Sequence, residues 1–164
     1  MELSVKERLI LSNQYRILEK LYPDEAAELA NDRKAIEDGY TLNYGWLTGR
    51  LLAELSEERC QEVWNILEMH RALFQYKVLK NKEGIEAPMF QGFDGNEETA
   101  LFSYCTYIIE DLGRYKELKG DLNSHTPMLD YYRQMLKEWE KSPNKMKLTR
   151  DDIIRLTSVG NPPE

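Results

Sequence analysis

Along almost the whole of this chain the apolar residues recur three or four positions apart, a spacing that admits helices and little else. Ser4 and Glu7 make a capping-box pair at the head of a first helix running to about Tyr22, with Ile10, Leu11, Ile17, Leu18 and Leu21 on its apolar side. Pro23-Asp24 opens a second, strongly acidic helix that Gly39 ends. Between Thr41 and Ala53 a short helix is expected, weakened by Gly45 and Gly49. Ser56 caps a long helix reaching about Asn81, striped by Cys60, Val63, Trp64, Leu67, Phe74 and Val78. The stretch 81–96 is irregular, yet Met89, Phe90 and Phe93 predict a loop folded onto the helices rather than a free linker. Asp94 or Asn96 then starts a helix with Leu101, Tyr104, Cys105, Ile108, Leu112 and Tyr115 on one face. Thr126-Pro127 starts another, with Met128, Tyr132, Met135 and Trp139 aligned. Thr149, between Leu148 and Ile153, heads a last short helix. The expected fold is all-α, a compact multi-helix bundle of about six or seven helices. It would form a single helical domain over 1–158, followed by a frayed tail at 159–164.

Composition removes several functional classes. At 164 residues, with 41% hydrophobic and 31% charged residues, the chain can bury a core without a metal or a disulfide framework. A net charge of −7 speaks against broad nucleic-acid binding. No apolar run approaches the ~20 residues of a membrane span, and the charged N-terminus lacks a signal-peptide pattern. A cytoplasmic protein without a membrane partner is therefore expected. Cys60 and Cys105 cannot make a zinc site alone, and both fall on apolar stripes as small reduced core residues.

Motifs for helical chemistry are missing. Neither His70 nor His125 follows a Glu by three residues, as a di-iron bundle requires, and HExxH, GxxxxGK[ST] and GxGxxG do not occur. No cofactor or metal is expected. Two polar residues interrupt apolar faces: Gln14 on the first helix and Arg71 on the long one. If buried there, both need hydrogen-bonding partners. Arg71 could be a polar crosslink or the base of an anion pocket. Lys137, Lys141, Lys145, Lys147 and Arg150 form a local basic stretch whose simplest role is a solvated helix end and loop.

The string Arg8-Leu9-Ile10-Leu11-Ser12-Asn13-Gln14-Tyr15 resembles the N-terminal signature of the YfbU-like bacterial proteins. Gly39-Tyr40, Glu68-Met69, Gly92-Phe93-Asp94, Gly113-Arg114-Tyr115, Asn123-Ser124 and Thr126-Pro127-Met128 continue the likeness in order, over roughly Leu3 to Leu156. The resemblance implies a mostly α-helical cytoplasmic protein and brings no reaction with it. It also has departures: the family pattern places Tyr before His where this chain has His70-Arg71, and Gln at the position of His125.

The reading that follows is a non-enzymatic regulatory or protein-interaction domain acting as a homo-oligomer. Ten Tyr, three Trp and six Met supply contact surface beyond the needs of a small helical core. Its candidate binding residues are Asn13, Tyr15, Arg71, Asp94, Arg114 and Asn123. The alternative is a small enzyme or ligand-binding protein with a polar pocket near Arg71 and Arg114.

Overall fold

The computed structural model describes residues 2–49, 51, 53–80 and 87–160, with the side chain of Lys80 excepted. The expected helix end at Asn81, the stretch 81–86 and the tail beyond Gly160 lie outside the described residues. Among those residues the fold is all-α, with seven α-helices. The only extended pairing among the described residues is a single parallel bridge between Phe93 and Asn123. The chain folds as two compact units, Met1–Glu54 and Leu55–Glu164.

The smaller unit is built on α1 (Val5–Leu21) and α2 (Ala26–Asp38), joined by a 3₁₀ turn at Pro23–Glu25. Ser4 and Glu7 close the expected capping box on α1, and Gly39 ends α2 with φ 77°. Polar groups tie the two helices together, beside the buried Ala35 and Ile36. Arg8 on α1 donates through Nε to the Ile36 carbonyl at 2.7 Å and through Nη2 to the Glu37 carbonyl, both in the last turn of α2, where the Ile36 carbonyl also takes the Gly39 N–H at 3.3 Å. One turn on, the Ser12 hydroxyl donates to the Glu37 carboxylate at 2.6 Å, and Arg16 and Arg33 reach the same carboxylate at 3.0 and 2.9 Å. The Ser12 hydroxyl first, and Arg33 after it, hold the Glu37 pKa down to about 2.

α1 turns Arg8, Ser12 and Glu19 toward α2 and half-buries Leu11 and Leu18, while the rest of its apolar stripe stays outside. Ile10, Ile17 and Leu21 are 47%, 59% and 65% exposed. Gln14 lies on that outer side and is exposed, so the expectation of a buried Gln14 with a partner is corrected. The short helix α3 (Tyr44–Leu47) follows a second 3₁₀ turn, burying Tyr44 and exposing Leu42 and Trp46.

In the larger unit α4 (Glu57–Lys80) is the central element. Ser56 accepts the Arg59 N–H at its head, and Val63, Ile66, Leu67, Met69 and Leu73 are essentially free of solvent. Against α4 pack α5 (Thr99–Thr106), α6 (Leu129–Trp139) and the loops that join them, and α7 (Arg150–Thr157) packs on α6. Leu101, Cys105, Ile108, Tyr132 and Met135 complete the core. Phe74 departs from expectation: it is 37% exposed, because its face of α4 borders a cavity instead of a helix.

Three element boundaries differ from the sequence reading. α5 begins at Thr99, since Asp94 spends its side chain on an Asx turn to the Asn96 N–H at 2.7 Å. Its far end widens into a π turn at Tyr107–Asp111, so Leu112 and Tyr115 lie beyond the helix, with Tyr115 at φ 49°. Helix α6 starts at Leu129 without help from Thr126. The Glu98 carboxylate, thirty residues away, accepts the Met128 and Leu129 N–H groups at 3.0 and 2.7 Å and does the capping instead. At α7 the expected cap is present: Thr149 and Asp152 form a reciprocal box. No helix among the described residues is long and apolar enough to cross a membrane.

Candidate functional site

The inward face of α4 runs through Val63, Ile66, Leu67, His70 and Leu73, which puts His70 at the core with 1% of its surface exposed. Its Nδ1 lies 2.9 Å from the Ile66 carbonyl one turn earlier, so Nδ1 carries the proton and donates. Nε2 is then a bare acceptor, buried and without a partner among the described residues. Aromatic rings surround the imidazole: Phe90 at 5.1 Å and Tyr132 at 4.9 Å between centroids. Burial pushes its pKa down to about 4, so the ring is neutral at pH 7.

This has a measurable consequence. Between about pH 6.5 and pH 4 the unfolded chain protonates His70 while the folded chain does not, so stability falls as the pH drops through that window. The expected loss is on the order of 3 kcal/mol. Urea unfolding across this range should show it, and His70→Phe should flatten it. Equal slopes for the two proteins would contradict the assignment.

His70 forms part of the wall of a cavity of about 460 Å³, lined further by Leu73, Phe74, Val78, Met89 and Phe90. Lys77 and residues 117–121 make its polar edge. Tyr132 ties the wall together, its hydroxyl donating to the Gly92 carbonyl at 3.1 Å and accepting the Gln91 N–H at 3.1 Å.

Arg71 points away from His70 into a network of its own. Nε donates to Glu117 at 2.6 Å, Nη1 lies 3.6 Å from Glu68, and the guanidinium sits 3.9 Å over the Tyr115 ring. The Tyr115 hydroxyl donates to the same Glu68 oxygen at 2.6 Å. Trp64 meets Tyr115 edge-on at 5.5 Å and donates to the Tyr104 hydroxyl at 2.8 Å. Burial and the bond to Glu68 both raise the Tyr115 pKa, so this phenol stays protonated. Arg71 thus has the partners its place on the stripe demands, and they are carboxylates that already balance its charge.

Asp94 and Asn123 are the sequence candidates that the structure brings together. The Phe93 N–H donates to the Leu122 carbonyl at 3.0 Å and the Ser124 N–H to the Phe93 carbonyl at 3.2 Å, stitching two loops side by side. The Asn123 carboxamide oxygen accepts the Gly95 and His125 N–H groups, both at 3.0 Å. Asp94 is buried, and its N–H donates to Glu98. Arg114 is exposed in the turn after the π segment, and its side chain has no hydrogen-bond partner among the described residues. Asn13 and Tyr15 belong to α1 in the other unit, Asn13 exposed and Tyr15 half-buried. No group of three metal-ligating side chains occurs among the described residues.

The family model described as the YfbU domain matches residues 1–158. The chain belongs to the YfbU family. A UPF0304 protein of the archaeon Methanocaldococcus jannaschii is 37% identical, over 96% of this chain and 99% of the relative. Membership therefore does not place the chain in a bacterium. The signature string of the family now has a physical meaning in this chain, because Arg8 and Ser12 are the residues that clamp α1 to the end of α2.

Sequence reasoning alone passes over His70. The available signal is its register: it follows Val63, Ile66 and Leu67 on one helical face, with a carbonyl four residues back to fix its tautomer.

Proposed function

We propose that this protein acts by binding and not by covalent chemistry, as a cytoplasmic homo-oligomer whose contact surface is the outer stripe of α1. The observation that carries the reading is the orientation of that helix: it turns Arg8, Ser12 and Glu19 toward its neighbour, half-buries Leu11 and Leu18, and leaves Ile10, Ile17 and Leu21 in solvent. An apolar face of this kind costs free energy until something covers it. A second copy is the occupant that the pattern fits. Ile10, Gln14, Ile17 and Leu21 follow a four-three-four spacing over about 17 Å, the seam of a helix pair. An antiparallel two-fold crossing at Gln14 would set Ile10 against the partner's apolar end. It would also place one self-complementary carboxamide against another, so that the polar residue fixes register. Asn13 and Tyr15 flank this seam.

The test is charge placed on the stripe. Ile17→Lys combined with Leu21→Lys should give a monomer with unchanged helicity, read by light scattering after size exclusion. Tyr107→Lys, a similar change at an exposed aromatic residue of the larger unit, should leave the native mass intact. A stripe variant that keeps the native mass would remove α1 from the interface.

A further inference from the structure

We propose that the cavity beside α4 binds a small amphipathic organic anion, with an apolar body, an N–H or O–H donor on that body, and a carboxylate at the mouth. The site is built from α4 residues between His70 and Val78, from 87–90 and from 117–121, and shares none with the α1 stripe, so it goes beyond self-association and can fail independently of it.

Each part of the ligand is specified by a part of the wall. At about 460 Å³ the cavity has the size of small-molecule sites, and Leu73, Phe74, Val78, Met89 and Phe90 give it an apolar interior. Phe74 keeps 37% of its surface in reach of an occupant, on a helix whose other inward residues are closed off. The donor requirement comes from His70. Its Nδ1 proton is committed to Ile66, which leaves Nε2 as an acceptor among rings with nothing to accept from. A buried lone pair in that condition favours a ligand hydrogen over a methyl group.

The carboxylate requirement comes from the charges at the edge. Lys77 has the Met89 sulfur at 3.5 Å as its hydrogen-bond contact, and thioether sulfur is a weak acceptor. Of the acids on the edge, Glu117 pairs with Arg71 at 2.6 Å, while Asp121 accepts the Asn123 N–H at 3.0 Å and keeps its charge. Lys119 on the same edge has a loose pairing with Glu110 at 3.8 Å. Lys77 is thus the lining cation with no carboxylate partner among the described residues, and it is the group that a ligand carboxylate would meet.

Calorimetric titration of the full chain with indole-3-propionate tests the assignment, because this probe carries a ring N–H and a carboxylate on an apolar body. Saturable one-to-one binding is expected. Its N-methyl analogue and its methyl ester should each bind about tenfold more weakly, since each deletes one specified contact. His70→Phe should erase the preference for N–H over N-methyl, and Lys77→Met the preference for acid over ester. The imidazole nitrogen-15 signal of Nε2 should move on binding to the native protein. If His70→Phe does not fold, the N-methyl comparison and the nitrogen signal on the native chain still decide the donor contact. Absence of saturable binding at about 1 mM probe, equal affinities for the three probes, or preferences that survive in the folded variants would each overturn the proposal.

Discussion

Gly92→Ala is expected to destabilise the protein by about 3 kcal/mol or more, a large part of the stability of a domain this size. Gly92 has φ 86°, in the region that side chains avoid, and the obstacle to a Cβ there is backbone. An added methyl would lie 1.9 Å from the Leu122 carbonyl oxygen and 2.7 Å from the Leu122 Cα. Neither atom can retreat without breaking the Phe93–Leu122 and Ser124–Phe93 hydrogen bonds that stitch the two loops. The displacement would also reach the Tyr132 hydroxyl, which donates to the Gly92 carbonyl, and so the cavity wall. Gly45→Ala is the matched control. Its Cβ meets nothing within 4 Å, and in helix α3 the change should be neutral or stabilising by up to about 1 kcal/mol. Urea midpoints of the two variants measure the contrast, and a Gly92→Ala loss below about 1 kcal/mol would refute the close approach.

Leu67→Ala should cost about 2–5 kcal/mol, because the site cannot collapse around the missing methyls. Leu67 is fully buried on α4, in a core it shares with Leu101, Ile108 and Met135 from the elements packed on that helix. Phe74→Ala, two turns further along α4, removes more atoms but should cost less. Phe74 already borders open space, so its truncation enlarges a cavity instead of creating one. Chemical denaturation orders the two. A loss below about 0.5 kcal/mol for Leu67→Ala would place that side chain at the surface.

These contrasts also mark what the sequence could reveal. Periodicity and caps are local, and where they decide, the reading holds: Ser4 with Glu7, Ser56, Gly39, and Thr149 with Asp152 all mark helix ends as expected. Where a distant group takes over a local role, it does not. Glu98 caps α6 from thirty residues away, which makes Thr126 unnecessary, and Asp94 turns its carboxylate to Asn96. On α1 the pattern correctly shows which residues are apolar, yet cannot show that α2 docks through Arg8 and Ser12, with Leu11 and Leu18 half-buried and Ile10, Ile17 and Leu21 left outside.

The candidate residues divide along the same line. That Arg71 must have partners follows from its place on the stripe, and Glu68 lies one turn back on the same helix; that the others are Glu117 and the Tyr115 ring depends on a turn more than forty residues on. His70 is inconspicuous in the sequence because its tautomer is set locally by Ile66, while its aromatic enclosure comes from Phe90 and Tyr132. Neither residue is near it in sequence.

Self-association through α1 is measured most directly as the mass of the native chain in solution, taken by light scattering over a range of about 1–100 μM. Twice the 19.3 kDa of one chain, or a higher even multiple, is expected in the upper part of that range. A mass of one chain at every concentration would contradict it.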